Sequence, residues 1–228
     1  MIRNYKEDAM EQKTPFRELS GKAKLQYIWD YYKLPIGGVL ILLAILISVI
    51  HYYATYKDPV LTLMLVNSSI DAEDTTIQHS FDSFMKENNY NPARQEVAFS
   101  KNLFLDMSNP QGPTGQTLVS LDVMTGGRGI SAIFSDPDNF DGLAERSYFL
   151  DITDYLTDEQ IREHQDDLVY TADTDTNERY AAGIRLTKEK CKWLQDTGAY
   201  EECVVGICYD SNNHPDAQKA LLTYLLGE

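Results

Sequence analysis

The sequence predicts an α/β fold in which an N-terminal single transmembrane helix precedes an extracytoplasmic domain built on a mainly parallel sheet. Residues 34–54 (LPIGGVLILLAILISVIHYYA) contain no Asp, Glu, Lys or Arg, and about 20 apolar residues make a helix that can cross a bilayer. Farther along the chain, short apolar runs alternate with runs whose apolar residues have helical spacing. This alternation is typical of parallel strands covered by helices on both faces.

The apolar segment 34–54 has the flanks of an uncleaved signal anchor. More than thirty residues precede it and no A-x-A-like site follows, which argues against a cleaved signal peptide. A buried core helix of this length would also carry a polar stripe. Pro35 is predicted to lie in the first helical turn, where its missing N–H costs nothing. Aromatic residues expected at the two membrane interfaces lie on both sides of the segment: Tyr27, Trp29, Tyr31 and Tyr32 before it, and Tyr52, Tyr53 and Tyr56 after it.

Lysine and arginine residues give the predicted orientation. Four of them lie just before the apolar segment and one lies just after it: Arg17, Lys22, Lys24 and Lys33, then Lys57. The positive-inside rule therefore places the N-terminus in the cytoplasm and the larger part of the chain outside the cell. That part is strongly acidic and would repel phosphates, which argues against a nucleic-acid partner.

We divide the chain into a cytoplasmic arm (1–33), the transmembrane helix (34–54), a linker (55–59) and the extracytoplasmic domain (60–228). The arm ends in SGKAKLQYIWDYYK (20–33), with Ser20 as a candidate N-cap of a helix that runs into the membrane. This helix is either an interfacial extension of the anchor or a docking surface for a membrane partner. The lipid bilayer is the partner that residues 34–54 imply.

The elements predicted in the extracytoplasmic domain alternate along the chain. Apolar runs predict strands at 60–66, 96–105, 130–134 and 202–210. Helical spacing predicts helices at 75–89, 116–127, 138–149, from 158 onward, and 214–228. Residues 170–187 (YTADTDTNERYAAGIRLT) form a polar stretch between these elements.

The acidic turn DPDNFD (136–141) directly follows a predicted strand. Asp136 is placed to cap the next helix, Pro137 to occupy its first position, and Asp138 to interact with the helix dipole. Capping alone, and capping combined with a ligand contact, both agree with these residues. A calcium ion needs six or more oxygen ligands, which this short turn does not supply, so we predict no metal here.

Two other motifs imitate ligand sites. DTDTNE (173–178) begins like an EF-hand loop, but Glu178 stands where that loop needs glycine, so we predict a solvated loop. TGGRG (125–129) joins a helix to a strand, whereas phosphate cradles join a strand to a helix; we predict a helix end. We find no spacing typical of a zinc site or a catalytic triad, and we predict no cofactor and no enzymatic activity.

Cys191, Cys203 and Cys208 all lie in the predicted extracytoplasmic domain. A Cys191–Cys203 disulfide would close a short loop and contribute about 2–3 kcal/mol. Free buried thiols agree equally well with the sequence, and the odd number of cysteines decides neither alternative.

Two segments resemble bacterial extracellular solute-binding proteins, the receptors of ABC importers. ISAIFSDPDNFDGLAERSYFLDITDYLTDE (130–159) resembles a strand, a polar turn and a helix of that family, and VVGICYDSNNHPDAQKALLTYLL (204–226) is similar to its last strand and closing helix. The anchor segment KLQYIWDYYKLPIGG is also similar to the N-terminus of uncharacterised single-span proteins of Gram-positive bacteria. The resemblance implies one lobe of a periplasmic-binding-protein fold over residues 60–228.

The resemblance implies a ligand site at the C-terminal ends of the strands. The candidate residues are Asn67, Ser68 and Ser69 after the first strand and Asp136, Asp138 and Asn139 after the third. Only residues 157–203 separate LDITDYL (150–156) from VVGICYD (204–210), which leaves no room for a whole second lobe. A single lobe buries little of a small solute. We therefore expect a membrane-anchored module that binds a solute or a protein without catalysis, or an accessory subunit of a transporter or other membrane complex.

Overall fold

The computed structural model describes residues 21–70, 76–109, 111–174, 176–210 and 215–227. The chain separates into two compact units, one ending at Tyr56 and one beginning at Lys57. In the described part of the chain, the first unit contains one long helix, and the second, which we call the sheet domain, contains a six-stranded sheet. The predicted N-cap Ser20 lies outside the described residues.

The first unit contains helix α1, which runs without interruption from Gly21 to Thr55. Its section Tyr32–Thr55 is 24 residues long with a mean hydropathy of 2.5, so its length and composition suit a membrane anchor. The helix confirms the predicted continuity of the arm with the apolar segment. Pro35 lies inside the helix and not in its first turn as predicted, because the helix already begins at Gly21. Its ring therefore leaves the carbonyl of Tyr31 without the usual helical partner.

Six strands and seven α-helices make up the described part of the sheet domain. The strands are β1 (Asp58–Val66), β2 (Gln95–Leu103), β3 (Ala132–Ser135), β4 (Leu168–Ala172), β5 (Arg179–Thr187) and β6 (Glu202–Ile207). The helices are α2 (Thr76–His79), α3 (Asp82–Glu87), α4 (Pro113–Gly126), α5 (Pro137–Ala144), α6 (Asp158–Glu163), α7 (Lys192–Thr197) and α8 (Pro215–Leu226). A 3₁₀ helix spans Ile152–Tyr155.

The sheet is mixed, with strand order β2-β1-β3-β6-β5-β4. β1 pairs in parallel with β2 and β3, whereas β6 is antiparallel to β3 and β5, and β4 is antiparallel to β5. The α/β class is confirmed, but the prediction of a mainly parallel sheet is wrong in the second half of the domain. One of the three antiparallel pairs is the hairpin of β4 and β5, in which the Asp173 N–H donates to the Glu178 carbonyl at 2.9 Å. β6 then returns antiparallel to both β5 and β3.

A hydrophobic core lies on each face of the sheet. Side chains alternate between the two faces along β1, so this strand contributes to both cores. On one face, Leu63 and Leu65 pack with α2, α3, α7 and α8, including Phe81, Phe84 and Leu221. On the other face, the β1 residues Met64 and Val66 pack with α4 and α5, whose buried apolar side chains include Leu118, Leu121, Phe140 and Leu143. β1 is therefore buried on both faces, which explains its almost wholly apolar sequence.

Candidate functional site

The carboxyl ends of β1 and β3 form a topological switch point. The two strands are parallel neighbours, with Leu63 opposite Ala132 and Leu65 opposite Phe134, so they end at the same edge of the sheet. After β1 the chain continues to α2 and α3 on one face, and after β3 it continues to α5 on the other face. Open α/β sheets bind ligands where the connections of neighbouring strands diverge in this way. We call the surface formed by residues 67–69 and 136–139 at this edge the switch-point crevice.

The Asn67 side chain spans this crevice. Its Nδ2 donates to Asp136 Oδ2 at 2.8 Å and to the Leu105 carbonyl at 2.6 Å, and its Oδ1 accepts from the Leu105 N–H at 2.8 Å. Asn67 has a φ of 55°, a left-handed conformation that asparagine tolerates better than most residues. One side chain thus joins the ends of β1 and β3 to the segment that follows β2.

Asp136 caps helix α5, as the acidic turn predicts. Its Oδ1 accepts from the Asn139 N–H at 3.2 Å and from Asn139 Nδ2 at 2.8 Å, and Pro137 occupies the first turn. Asn139 Oδ1 in turn accepts from the Met107 N–H at 2.8 Å. The carboxylate of Asp136 therefore uses one oxygen for the helix and the other for Asn67.

Tyr200 lies beneath the crevice, and no local sequence pattern selects it. Its hydroxyl donates to the Val66 carbonyl at 2.7 Å and is 3.3 Å from the Phe134 carbonyl. Val66 is the last residue of β1, and Phe134 is the last but one of β3. Burial raises the pKa of Tyr200 well above its usual value, and the charge of Asp136 adds to this effect. The hydroxyl thus stays protonated and holds the ends of β1 and β3 together.

The structure brings together three of the six residues that the sequence selected: Asn67, Asp136 and Asn139 are joined by hydrogen bonds. The other three lie at the rim. Ser68 is half-buried, Ser69 and Asp138 are exposed, and the Ser69 N–H donates to the Ala199 carbonyl at 2.9 Å. The joined residues form a hydrogen-bonded frame, and Ser68, Ser69 and Asp138 lie at its rim.

Replacing Asp136 tests the capping interaction. Asp136→Ala is expected to destabilise the sheet domain by about 0.5–2 kcal/mol through loss of the cap, and more if the contact with Asn67 also contributes. Asp136→Ser restores the cap but not the contact with Asn67, so it should recover only part of the loss. Asp138→Asn should cost about 0.3–1 kcal/mol, because it removes only a dipole interaction. Chemical denaturation of residues 57–228 measures all three, and an Asp136→Ala midpoint equal to that of the parent contradicts capping.

The two motifs that imitate ligand sites have structural roles. Asp173 Oδ1 accepts from the Thr176 N–H at 2.7 Å in the turn between β4 and β5, so this part of DTDTNE shapes a hairpin; Asp175 lies outside the described residues. TGGRG ends α4, with the Gly127 N–H donating to the Val123 carbonyl at 2.9 Å, as predicted. Within the described ranges, no cluster of three or more His, Cys, Asp or Glu residues could hold a metal ion.

All three cysteines are free and buried in this structure. Burial raises the pKa of each thiol, most strongly for Cys203 and Cys208, so these thiols are held in the unreactive protonated form. The thiols of Cys191 and Cys203 are close enough for the charge of one to raise the pKa of the other. A Cys191–Cys203 disulfide therefore stays a prediction, and free thiols are what the structure has.

A second polar cluster lies at the opposite edge of the sheet, beside a depression of about 330 Å³. Arg146 Nη2 lies 2.5 Å from Asp122 Oδ2, Arg146 Nε donates to the Tyr148 hydroxyl at 2.7 Å, and that hydroxyl donates to Asp122. Burial, with the hydrogen bond to Asp122, raises the pKa of Tyr148 to about 12. The three side chains satisfy one another, so the cluster fastens α4 to the segment that follows α5.

Comparison of the chain with known protein families, curated proteins and solved structures gives no match.

Proposed function

We propose that this chain is a single-pass membrane protein whose sheet domain binds a ligand or a protein partner at the cell surface without catalysis. The observation that carries the proposal is the switch-point crevice. The divergent connections after β1 and β3 create the place where α/β sheets bind ligands, and polar residues that follow both strands meet there. The apolar section of α1 supports membrane attachment.

The frame of the crevice supports binding. Asn67 and Asp136 are held by each other and by backbone groups, so they form a fixed surface against which a partner can pack. The groups left at the rim, Ser68, Ser69 and Asp138, are separate hydrogen-bonding groups on a shallow surface. Such a rim buries little of a small solute but suits a protein or peptide that covers a wider area.

Charge changes at the rim test this function. Ser69→Lys and Asp138→Lys are expected to weaken crosslinking of the full chain to its partner in intact membranes at least about tenfold, because an unpaired charge at an interface costs more than 1.4 kcal/mol. Ser83→Lys and Asp158→Lys are matched controls: Ser83 is an equally exposed serine, and Asp158 lies in the first turn of α6 as Asp138 does in that of α5. Loss of the partner in the control variants, or its retention in the rim variants, contradicts a function at the crevice.

A second function, an accessory subunit that docks onto a transporter or other membrane complex, is favoured by the length of α1. The helix has 35 residues, whereas its membrane-spanning section has 24, so it continues beyond the bilayer toward its N-terminus. Exchanging residues 21–55 for an unrelated helix of equal length separates the two functions. Binding through the crevice survives the exchange, whereas docking through the helix is lost.

A further inference from the structure

A depression of about 230 Å³ lies at the edge of the sheet where β1 and β2 begin. Its floor is apolar and includes the buried side chains of Phe81 and Met85. Its rim is charged: Lys57 directly precedes β1, Asp82 begins α3, and Glu96 lies in β2. This edge is opposite to the switch-point crevice, so the depression is a separate site.

The charges at the rim have both signs. His79 lies at the rim with its Nδ1 3.3 Å from Asp82. Neither the Lys57 ammonium nor the Glu96 carboxylate forms a salt bridge with another residue that the structure describes. A phosphate binds well to a lysine ammonium, and a primary ammonium donates hydrogen bonds to carboxylates. The rim therefore suits a ligand that carries a phosphate and a primary ammonium together.

The charges at the rim disfavour ligands that have only a phosphate or only an ammonium group. A purely anionic ligand would be attracted by one lysine, Lys57, but repelled by two carboxylates, Asp82 and Glu96. A quaternary ammonium has no N–H to donate to those carboxylates. Phosphate with a primary ammonium is thus the headgroup chemistry that satisfies both sides of the rim.

The position of Lys57 in the chain indicates where such a ligand comes from. Lys57 follows Thr55, the last residue of α1, by two positions, so its Cα lies within about 7 Å of the end of the helix. Exposed tyrosines that suit a membrane interface immediately precede it: Tyr52, Tyr53 and Tyr56. If α1 spans the bilayer, as the proposed function requires, Lys57 lies in the layer of lipid headgroups.

We propose that this depression binds a phospholipid headgroup that carries a phosphate and a primary ammonium, with Lys57 on the phosphate and Asp82 and Glu96 on the ammonium. The bound lipid would hold the sheet domain against the bilayer through a contact that depends on lipid composition. This inference rests on the proposed membrane anchoring, but not on binding at the switch-point crevice.

The test uses the full chain in nanodiscs that contain equal amounts of phosphatidylethanolamine, phosphatidylglycerol and phosphatidylcholine. After mild detergent extraction, mass spectrometry counts the lipids that each chain retains. We expect phosphatidylethanolamine to be enriched about tenfold over the other two lipids, the ratio that one charge-assisted contact gives. Lys57→Glu and Glu96→Lys should abolish the enrichment. Lys86→Glu and Glu87→Lys change exposed charges of α3 that do not line the depression, and these variants should keep it.

The other outcomes are equally specific. Equal retention of the three lipids, or preferred retention of phosphatidylglycerol, overturns the proposed site. Displacement of the retained lipid by an equal concentration of glycerophosphoethanolamine in water overturns the bilayer as the source of the headgroup. A chain that does not enter nanodiscs overturns both the membrane anchor and this site, whereas an incorporated chain without enrichment overturns only the site.

Discussion

Protease added to intact cells is expected to remove the sheet domain completely and to leave a membrane-held fragment that ends near Lys57. Residues 32–55 form the apolar helical section, and the basic residues that precede it favour a cytoplasmic N-terminus. Tyr56 and Lys57 follow the helix and have no regular secondary structure, so cleavage is expected there. Immunoblots against tags at each end of the chain follow the two fragments.

Deletion of residues 32–55 provides the control. The shortened chain should stay inside the cell, resist the protease and remain folded, because the sheet domain has its own cores on both faces of its sheet. The intact chain should be recovered from membranes at its full mass of 25.9 kDa; a smaller soluble product would indicate cleavage of a signal sequence. Protection of the sheet domain in intact cells, lost only on permeabilisation, would reverse the predicted orientation.

Most elements could be predicted because their buried positions carry apolar residues with the spacing of a strand or a helix. β1, β3 and β6 are apolar on both faces, and α8 buries Leu221, Leu222 and Leu225 along one side. β4 was missed because it is a five-residue edge strand with one buried residue. β5 was missed because three of its five buried residues are the small Ala181, Ala182 and Gly183, which give a weak apolar pattern. Hydrophobic patterns report burial and not strand direction, so nothing in the sequence indicated that β6 runs antiparallel to β3.

In the candidate site, too, contacts between residues near each other in sequence could be predicted, whereas contacts between distant residues could not. The cap formed by Asp136 involves residues within one helical turn, so the spacing of DPDNFD was enough to predict it. The contact between Asn67 and Asp136 joins residues 69 positions apart, and that of Tyr200 with Val66 joins residues 134 positions apart. Such pairs depend on strand order and register, which no local pattern contains. The resemblance to solute-binding proteins selected residues that follow β1 and β3 at one edge of the sheet, but it gave none of these contacts.

Asn67→Ala is expected to destabilise the sheet domain by about 2–5 kcal/mol, the largest loss that we expect from a single residue of the crevice. Alanine at a φ of 55° is strained by about 1–2 kcal/mol. The substitution also leaves the Leu105 N–H and one oxygen of Asp136 without their partner, and unsatisfied groups of this kind cost about 1–3 kcal/mol. Chemical denaturation of residues 57–228 measures the total loss in free energy of unfolding.

Two further variants separate the contributions. Asn67→Gly removes the same hydrogen bonds but adopts the left-handed conformation without strain, so it should be more stable than Asn67→Ala by about 1–2 kcal/mol. Asn177, in the exposed turn between β4 and β5, has a φ of 58°, and Asn177→Ala should cost only the strain. If Asn67→Ala costs no more than Asn177→Ala, the side chain of Asn67 does not hold the crevice together. The frame proposed for the binding site would then have to rest on Asp136, Asn139 and Tyr200 alone.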